Sequence, residues 1–186
     1  MRNASPPPDP ARAAPRRAML AVAAGSAALA GLGVAWWRQP ADANASASAL
    51  ASLWAMTVAR PDGSEFAMQS LRGQPLLINF WATWCAPCVR EMPEIDRFYR
   101  EFSPRGWQVL GLAIDSAAPV NAFLARVKVG FPIGLAGLDG MDLLHALGNP
   151  RGGLPFTLVV SADGRIAQRK IGETRFDELA GWARQA

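Results

Sequence analysis

The sequence predicts an α/β protein in which helices cover both faces of a mixed sheet. Two observations carry this. Continuous apolar runs at Pro75–Trp81 and Trp107–Ile114 flank a segment of helical spacing, as in a parallel strand–helix–strand unit. Alternating segments joined by Pro61-Asp62-Gly63 and by Asp163-Gly164 add hairpins at the start and near the end. Elements in the order β-β-β-α-β-α-β-α-β-β-α mix parallel crossovers with a closing hairpin, which gives a layered α/β structure.

Each element has its own signal. Leu53 to Ala59 alternates, with Trp54, Met56 and Val58 on one face, and Ser64 to Gln69 returns with Phe66 and Met68 inward. Pro75 to Trp81 reads as a strand buried on both faces. Cys85 to Phe102 has helical spacing through Val89, Met92, Ile95, Phe98, Tyr99 and Phe102, with Pro93 expected to kink it. Trp107 to Ile114 is a second buried strand. Pro119 to Val129 is a helix with Val120, Phe123, Leu124 and Val127 on one side, followed by a short strand at Phe131–Ala136. Met141 to Leu147 is a short helix ended by Gly148, and Phe156–Val160 pairs with Arg165–Ile171 as a hairpin. Thr174 is expected to cap the last helix, with Asp177 three residues on as in a capping box. There is no internal repeat.

The chain has 186 residues, 51% of them hydrophobic and 18% charged, which excludes a disordered or collagen-like protein. The net charge of +4 is unevenly placed. Residues 1–49 hold five arginines against Asp9 and Asp42, whereas residues 50–186 hold 14 basic and 13 acidic groups. A nucleic-acid partner needs its basic stripe on the folded body, so that class is set aside.

Ala18 to Trp37 is an uncharged run of twenty residues, about 30 Å as a helix and so long enough to span a bilayer. Arg2, Arg12, Arg16 and Arg17 precede it, which favours a cytoplasmic basic tail over residues 1–17 and export of the rest. The run is either an uncleaved anchor or a signal peptide, since Ala41-Asp42-Ala43 and Ala45-Ser46-Ala47 read as cleavage sites. Arg16-Arg17 weakly resembles a twin-arginine signal, so the export route stays open. Residues 38–52 read as a flexible linker, leaving residues 53–186 as one folded domain.

The only cysteines form Cys85-Ala86-Pro87-Cys88, where a buried strand ends and a helix begins. As a structural staple so small a ring contributes about 2 kcal/mol before strain. A zinc site would lack ligands, because His145 is the only histidine. Two inert thiols would be oxidised after export. A helix N-terminus stabilises a thiolate at Cys85, with Cys88 one turn further in to resolve a mixed disulfide, and Pro87 suits the first helical turn. This spacing beside a βαβ pattern points to dithiol redox chemistry.

Phe80-Trp81-Ala82-Thr83-Trp84-Cys85-Ala86-Pro87-Cys88, followed by Glu91-Met92-Pro93, resembles the TlpA/ResA branch of the thioredoxin superfamily, exported or membrane-tethered bacterial thiol–disulfide oxidoreductases. The resemblance covers about residues 53–186 and implies a thioredoxin-like fold with an N-terminal β-hairpin and a helix–strand insertion near residues 119–147. It implies that Gly153-Leu154-Pro155-Phe156-Thr157 carries a cis proline beside the cysteines, with Pro155 offering backbone to a substrate strand. It also implies that Glu91 tunes the cysteines or moves their protons, against the alternative of a solvated helix charge. Asn79 departs from thioredoxins proper, which place a buried aspartate there. Trp84 and Trp81 either cover the site or belong to the core, and Trp81 is assigned to the core. Asp115 is assigned to a strand end and the cap of the next helix, His145 to a structural or exposed role, and Arg165, Arg169 and Lys170 to a solvated strand face.

The branch implies a reductant of disulfides in exported apoproteins, in cytochrome c maturation or copper-site assembly. No cofactor is called for beyond the Cys85–Cys88 disulfide, and no metal. An oxidase donating its disulfide is the alternative, disfavoured because Ala86-Pro87 puts no cation between the cysteines. A copper chaperone needs wider cysteine spacing and a third ligand. A peroxidase is excluded because no T-x-x-C precedes either cysteine. Export and family together imply the inner membrane as anchor through residues 18–37, a periplasmic catalytic domain and a membrane dithiol electron donor.

Overall fold

The computed structural model describes residues 45–185. The cytoplasmic-tail and anchor assignments, and residues 38–44 of the expected linker, lie outside the described residues. Among the described residues no helix is long and apolar enough to cross a membrane.

Residues 45–55 form helix α1, where a linker followed by a strand was expected. An Ala/Ser tract reads as a tether by composition, but alanine is the best helix former. Ala49, Leu50, Leu53 and Trp54 recur at helical spacing and are all buried. The first strand is therefore only β1 (Thr57–Ala59), paired antiparallel with β2 (Glu65–Ala67). The Trp54–Met56–Val58 alternation is the last helical turn running into a short strand.

The remaining elements follow the expected order. They are β3 (Leu76–Trp81), α2 (Ala86–Phe102), β4 (Gln108–Ala113), α3 (Ala117–Arg126), β5 (Ile133–Leu135), α4 (Gly140–Ala146), β6 (Phe156–Val160), β7 (Ile166–Ile171) and α5 (Phe176–Ala183). The seven strands described order as β2-β1-β5-β4-β3-β6-β7. The pairs β3–β4 and β4–β5 are parallel, and the others antiparallel.

β3 is central and every residue in it is buried, which is why it reads as an unbroken apolar run. Its side chains alternate between two cores. Leu77 and Trp81 pack with Met92, Ile95 and Phe98 of α2, Phe123 of α3 and Leu179 of α5. Leu76, Ile78 and Phe80 pack with Leu53 and Trp54 of α1 and with Leu143 and Leu144 of α4. Asn79 shares the parity of Leu77 and Trp81, so the strand aims its one polar side chain at α2.

Helix α1 is thus a working part of the second core. Arg169 of β7 reinforces it, donating from Nη2 to Ser46 Oγ at 2.8 Å and from Nε to the Leu147 carbonyl at 2.8 Å. Arg169 lies on an exposed strand face, as expected, and from there also ties β7 to α1 and to the end of α4. Leu50, inside the expected linker, is buried, and Leu50→Ala is expected to cost about 2–5 kcal/mol, measured as a lower denaturation midpoint. A flexible tether at this position would show no change.

Candidate active site

The end of β3 delivers the chain into the turn Ala82-Thr83-Trp84, and Cys85 is the N-cap of α2. The Cys85 carbonyl accepts the first bond of the helix, from Val89 N–H at 3.1 Å, and its Sγ accepts from Cys88 N–H at 3.3 Å. Pro87 occupies the first turn, where a missing N–H leaves nothing unpaired. The two sulfurs are bonded at 2.04 Å, with the Cα atoms 5.3 Å apart. Cys85 is 7% exposed and Cys88 is fully enclosed. The helix N-terminus places partial positive charge and free N–H groups at Cys85, which favours a thiolate there once the bond is reduced.

Glu91 lies one turn beyond Cys88 on the same helix and is completely buried, which removes the solvated-charge alternative. Its Oε1 accepts from Asn79 Nδ2 at 2.7 Å. Its Oε2 accepts from the backbone N–H of Thr174 at 2.7 Å and the Thr174 hydroxyl at 2.8 Å. Burial pushes the Glu91 carboxyl above the usual carboxylate range, and these hydrogen bonds oppose it only in part. Asn79 Nδ2 also reaches Thr157 Oγ1 at 3.2 Å, so β3 and the segment before α5 meet α2 at one carboxylate and β6 is joined to it through Asn79. Glu91 can therefore hold or release a proton beside the buried cysteine.

Thr174 accordingly does not cap α5. Its hydroxyl is committed to Glu91, and α5 is instead capped by Glu94 of α2, whose Oε2 accepts from Phe176 N–H at 2.9 Å. A capping box looks the same in sequence, but a buried carboxylate is the stronger acceptor for that hydroxyl.

The Leu154–Pro155 peptide bond is cis, and Pro155 is buried with its carbonyl accepting from Gly172 N–H at 2.8 Å. The loop before it is held by Asn149, a fully buried residue that the sequence reading passed over. Asn149 Nδ2 donates to the Gly153 carbonyl at 2.7 Å. Its only signal was the Asn-Pro-x-Gly turn composition.

Asp115 braces the approach to the cysteines and does not cap α3, whose N-cap is Ser116. Asp115 Oδ2 accepts from the Thr83 hydroxyl at 2.6 Å and from Thr83 N–H at 3.1 Å, and Oδ1 accepts from Ser116 N–H at 3.1 Å. Asp115→Ala is expected to cost about 1–2 kcal/mol, with Asp115→Asn recovering part of it, read from denaturation midpoints. Equal stability of all three proteins would remove the brace.

Trp81 is buried core, as expected, whereas Trp84, next to Cys85 in the turn, is 69% exposed. His145 is exposed beside Gly152, away from any ligand set. Among the described residues no three His, Cys, Asp or Glu side chains converge to hold a metal ion.

Residues 43–181 match the Redoxin family model. The thiol-disulfide oxidoreductase ResA of Bacillus thuringiensis is 27% identical over 125 residues, 67% of this chain and 70% of that protein. A solved thioredoxin-related protein from Neisseria meningitidis serogroup B superposes with a TM-score of 0.62 at 30% identity, covering 69% of this chain and 96% of that one. A secreted disulfide oxidoreductase of Mycobacterium tuberculosis, homologous to DsbE of E. coli, shares the fold with a TM-score of 0.61 at 21% identity, covering 73% and 98%.

Proposed function

The chain belongs to the Redoxin family, within the ResA-like branch of the thioredoxin superfamily, and is a thiol:disulfide oxidoreductase; we propose that it reduces disulfides of exported apoproteins through Cys85 and Cys88. The observation that carries this reading is the cysteine pair at the start of α2, with Cys85 at the rim and Cys88 enclosed, one helical turn from buried Glu91.

In the reduced protein the Cys85 thiolate attacks one sulfur of a client disulfide. A mixed disulfide forms, and the first client sulfur leaves as a thiolate that takes up a proton. Cys88 then loses its proton, with Glu91 as the proton-handling group, and attacks Cys85 Sγ. The second client sulfur leaves and is protonated in turn. The client gains two electrons and two protons, and the protein returns to the Cys85–Cys88 disulfide. The cis-proline loop would supply backbone to the client strand through half-buried Leu154, since Pro155 has no N–H and its carbonyl already accepts from Gly172. Asn79 orients Glu91, while Trp84 and Pro87 shape the rim.

Direction is argued from the residues between the cysteines. Ala86 and Pro87 supply no cation to stabilise the reduced state, which favours a low potential and hence a reductant. The N-terminal arginines and apolar run favour anchorage in the inner membrane with the domain in the periplasm. An oxidising compartment would then require recharging by a membrane dithiol donor. Cytochrome c or copper-site apoproteins are the clients that the branch suggests.

The test is capture in the native organism. Full-length protein carrying Cys88→Ser, followed by acid quenching and alkylation, should accumulate mixed disulfides with exported proteins whose cysteines later bind haem or copper. Mixed disulfides with cytoplasmic proteins alone would overturn the proposed compartment and clients.

A further inference from the structure

The buried carboxylate beside the cysteines has an ion pair next to it at the surface. Arg90 and Glu91 are consecutive on α2, and Glu173 and Thr174 are consecutive in the segment before α5. Each residue of the first couple bonds its counterpart in the second. Arg90 donates to Glu173 Oε2 from Nη2 at 2.7 Å and from Nε at 3.1 Å. Glu91 Oε2 accepts from the Thr174 N–H, which belongs to the peptide unit joining Glu173 to Thr174. The inner tie is buried, whereas the outer one meets solvent, with the Arg90 side chain 61% exposed and that of Glu173 32%.

The segment that carries Glu173 is pinned on either side. Gly172 N–H donates to the Pro155 carbonyl at 2.8 Å, and Phe176 N–H to Glu94 Oε2 at 2.9 Å. An exposed ion pair adds little to stability, but a neighbouring charge acts strongly on a carboxyl that water does not reach. The negative charge of Glu173 adds to burial in raising the Glu91 carboxyl, and Arg90 opposes that charge. Other charges on the packed elements have their own engagements or face solvent. Lys170 of β7 pairs with Glu178 of α5, Arg97 lies over the Phe176 ring, and Arg175 is exposed. From β3 and β6 only the neutral Asn79 and Thr157 reach the carboxylate network, and Cys88, one turn back on α2, is bonded to Cys85.

We propose that Arg90 and Glu173 are positioning residues for the exchange reaction, a surface charge pair that sets how readily buried Glu91 takes and releases its proton. This rests on the reading of Glu91 as the proton-handling group. Neither residue touches the cysteines. Their two charges act on Glu91 in opposite directions, so the halves of one ion pair have opposite effects when removed. Loss of Arg90 leaves the Glu173 charge unopposed and holds the proton on Glu91 to higher pH. Loss of Glu173 leaves a free cation nearby and releases the proton at lower pH. A pair that merely fastened the segment to α2 would behave differently, because cutting either half would loosen Thr174 from Glu91 in the same way.

The experiment uses the reduced full chain and follows tryptophan fluorescence as its disulfide forms in a single turnover with bis(2-hydroxyethyl) disulfide, an uncharged substrate. Rates are measured across pH for the wild type, Arg90→Gln, Arg90→Lys, Glu173→Gln and Glu91→Gln. The limb that belongs to Glu91 is expected to move by about half a pH unit toward alkaline pH in Arg90→Gln and by about as much toward acid in Glu173→Gln. At a fixed pH on the limb each shift is a rate change of roughly threefold. Arg90→Lys keeps the charge and should stay near the wild type. Both shifts should shrink at about 1 M salt, where charges are screened beyond about 3 Å. Shifts of the two glutamine variants in the same direction, or no shift in either, would overturn the proposal. A limb that persists in Glu91→Gln would instead refute the reading of Glu91, and the role of the pair would fall with it.

Discussion

Cys88→Ser is expected to arrest the protein in a long-lived mixed disulfide with its substrate, while Cys85→Ser abolishes exchange altogether. The asymmetry follows from position. Cys85 is the N-cap, at the rim and next to the helix N-terminus, whereas Cys88 is fully enclosed one turn further in. Only the first can meet an external sulfur, and only the second can reach Cys85 Sγ from within. With Cys88 replaced by serine, the first exchange proceeds and the second has no thiol. Non-reducing electrophoresis of each variant with a peptide disulfide checks this. Equal adduct formation by both variants would mean that burial does not assign the roles.

Glu91→Gln is expected to slow exchange near neutral pH by about a hundredfold. It should also remove a limb of the pH–rate profile that lies above the ordinary carboxylate range. Burial raises the Glu91 pKa, so its proton leaves at a higher pH than that of an ordinary carboxyl. The same shift has a signature in stability. Folding favours protonated Glu91, so its stabilising contribution is complete below the unfolded-chain value of about 4.3 and is lost as pH rises through the higher folded-state value. Glu91→Gln should therefore flatten the fall in thermal midpoint across that window. A variant that is merely less stable, with its rate profile unchanged in shape, would make Glu91 structural. Asn79→Leu is a companion measurement. It removes the donor to Glu91 Oε1 and should move the same limb further toward alkaline pH.

Periodicity identified the strands and helices well wherever one face or both are buried. β3 is a continuous apolar run because α2 covers one side and α1 with α4 the other. Composition misjudged residues 45–52, since an Ala/Ser tract is a tether or a helix according to whether Leu50, Leu53 and Trp54 find a core. The cysteine pair needed only its spacing and the strand–helix junction. Its polar surroundings were harder to read because their partners are remote in the chain. Thr174 is 83 residues from Glu91, and Thr83 is 32 from Asp115. Local patterns supplied a nearer role for Thr174 and for Asp115, a helix cap in both cases. The buried carboxylate and the active-site turn took those groups instead. Asn149 had no pattern beyond a turn, and its importance emerges only from the carbonyl it holds in the cis-proline loop.

The most direct test is the equilibrium reduction potential of Cys85–Cys88 in the full chain, titrated in thiol redox buffers. A reductant on the ResA-like pattern predicts a value at or below about −230 mV, on the scale where thioredoxin stands near −270 mV. A value near −120 mV would contradict it and make the protein a disulfide donor.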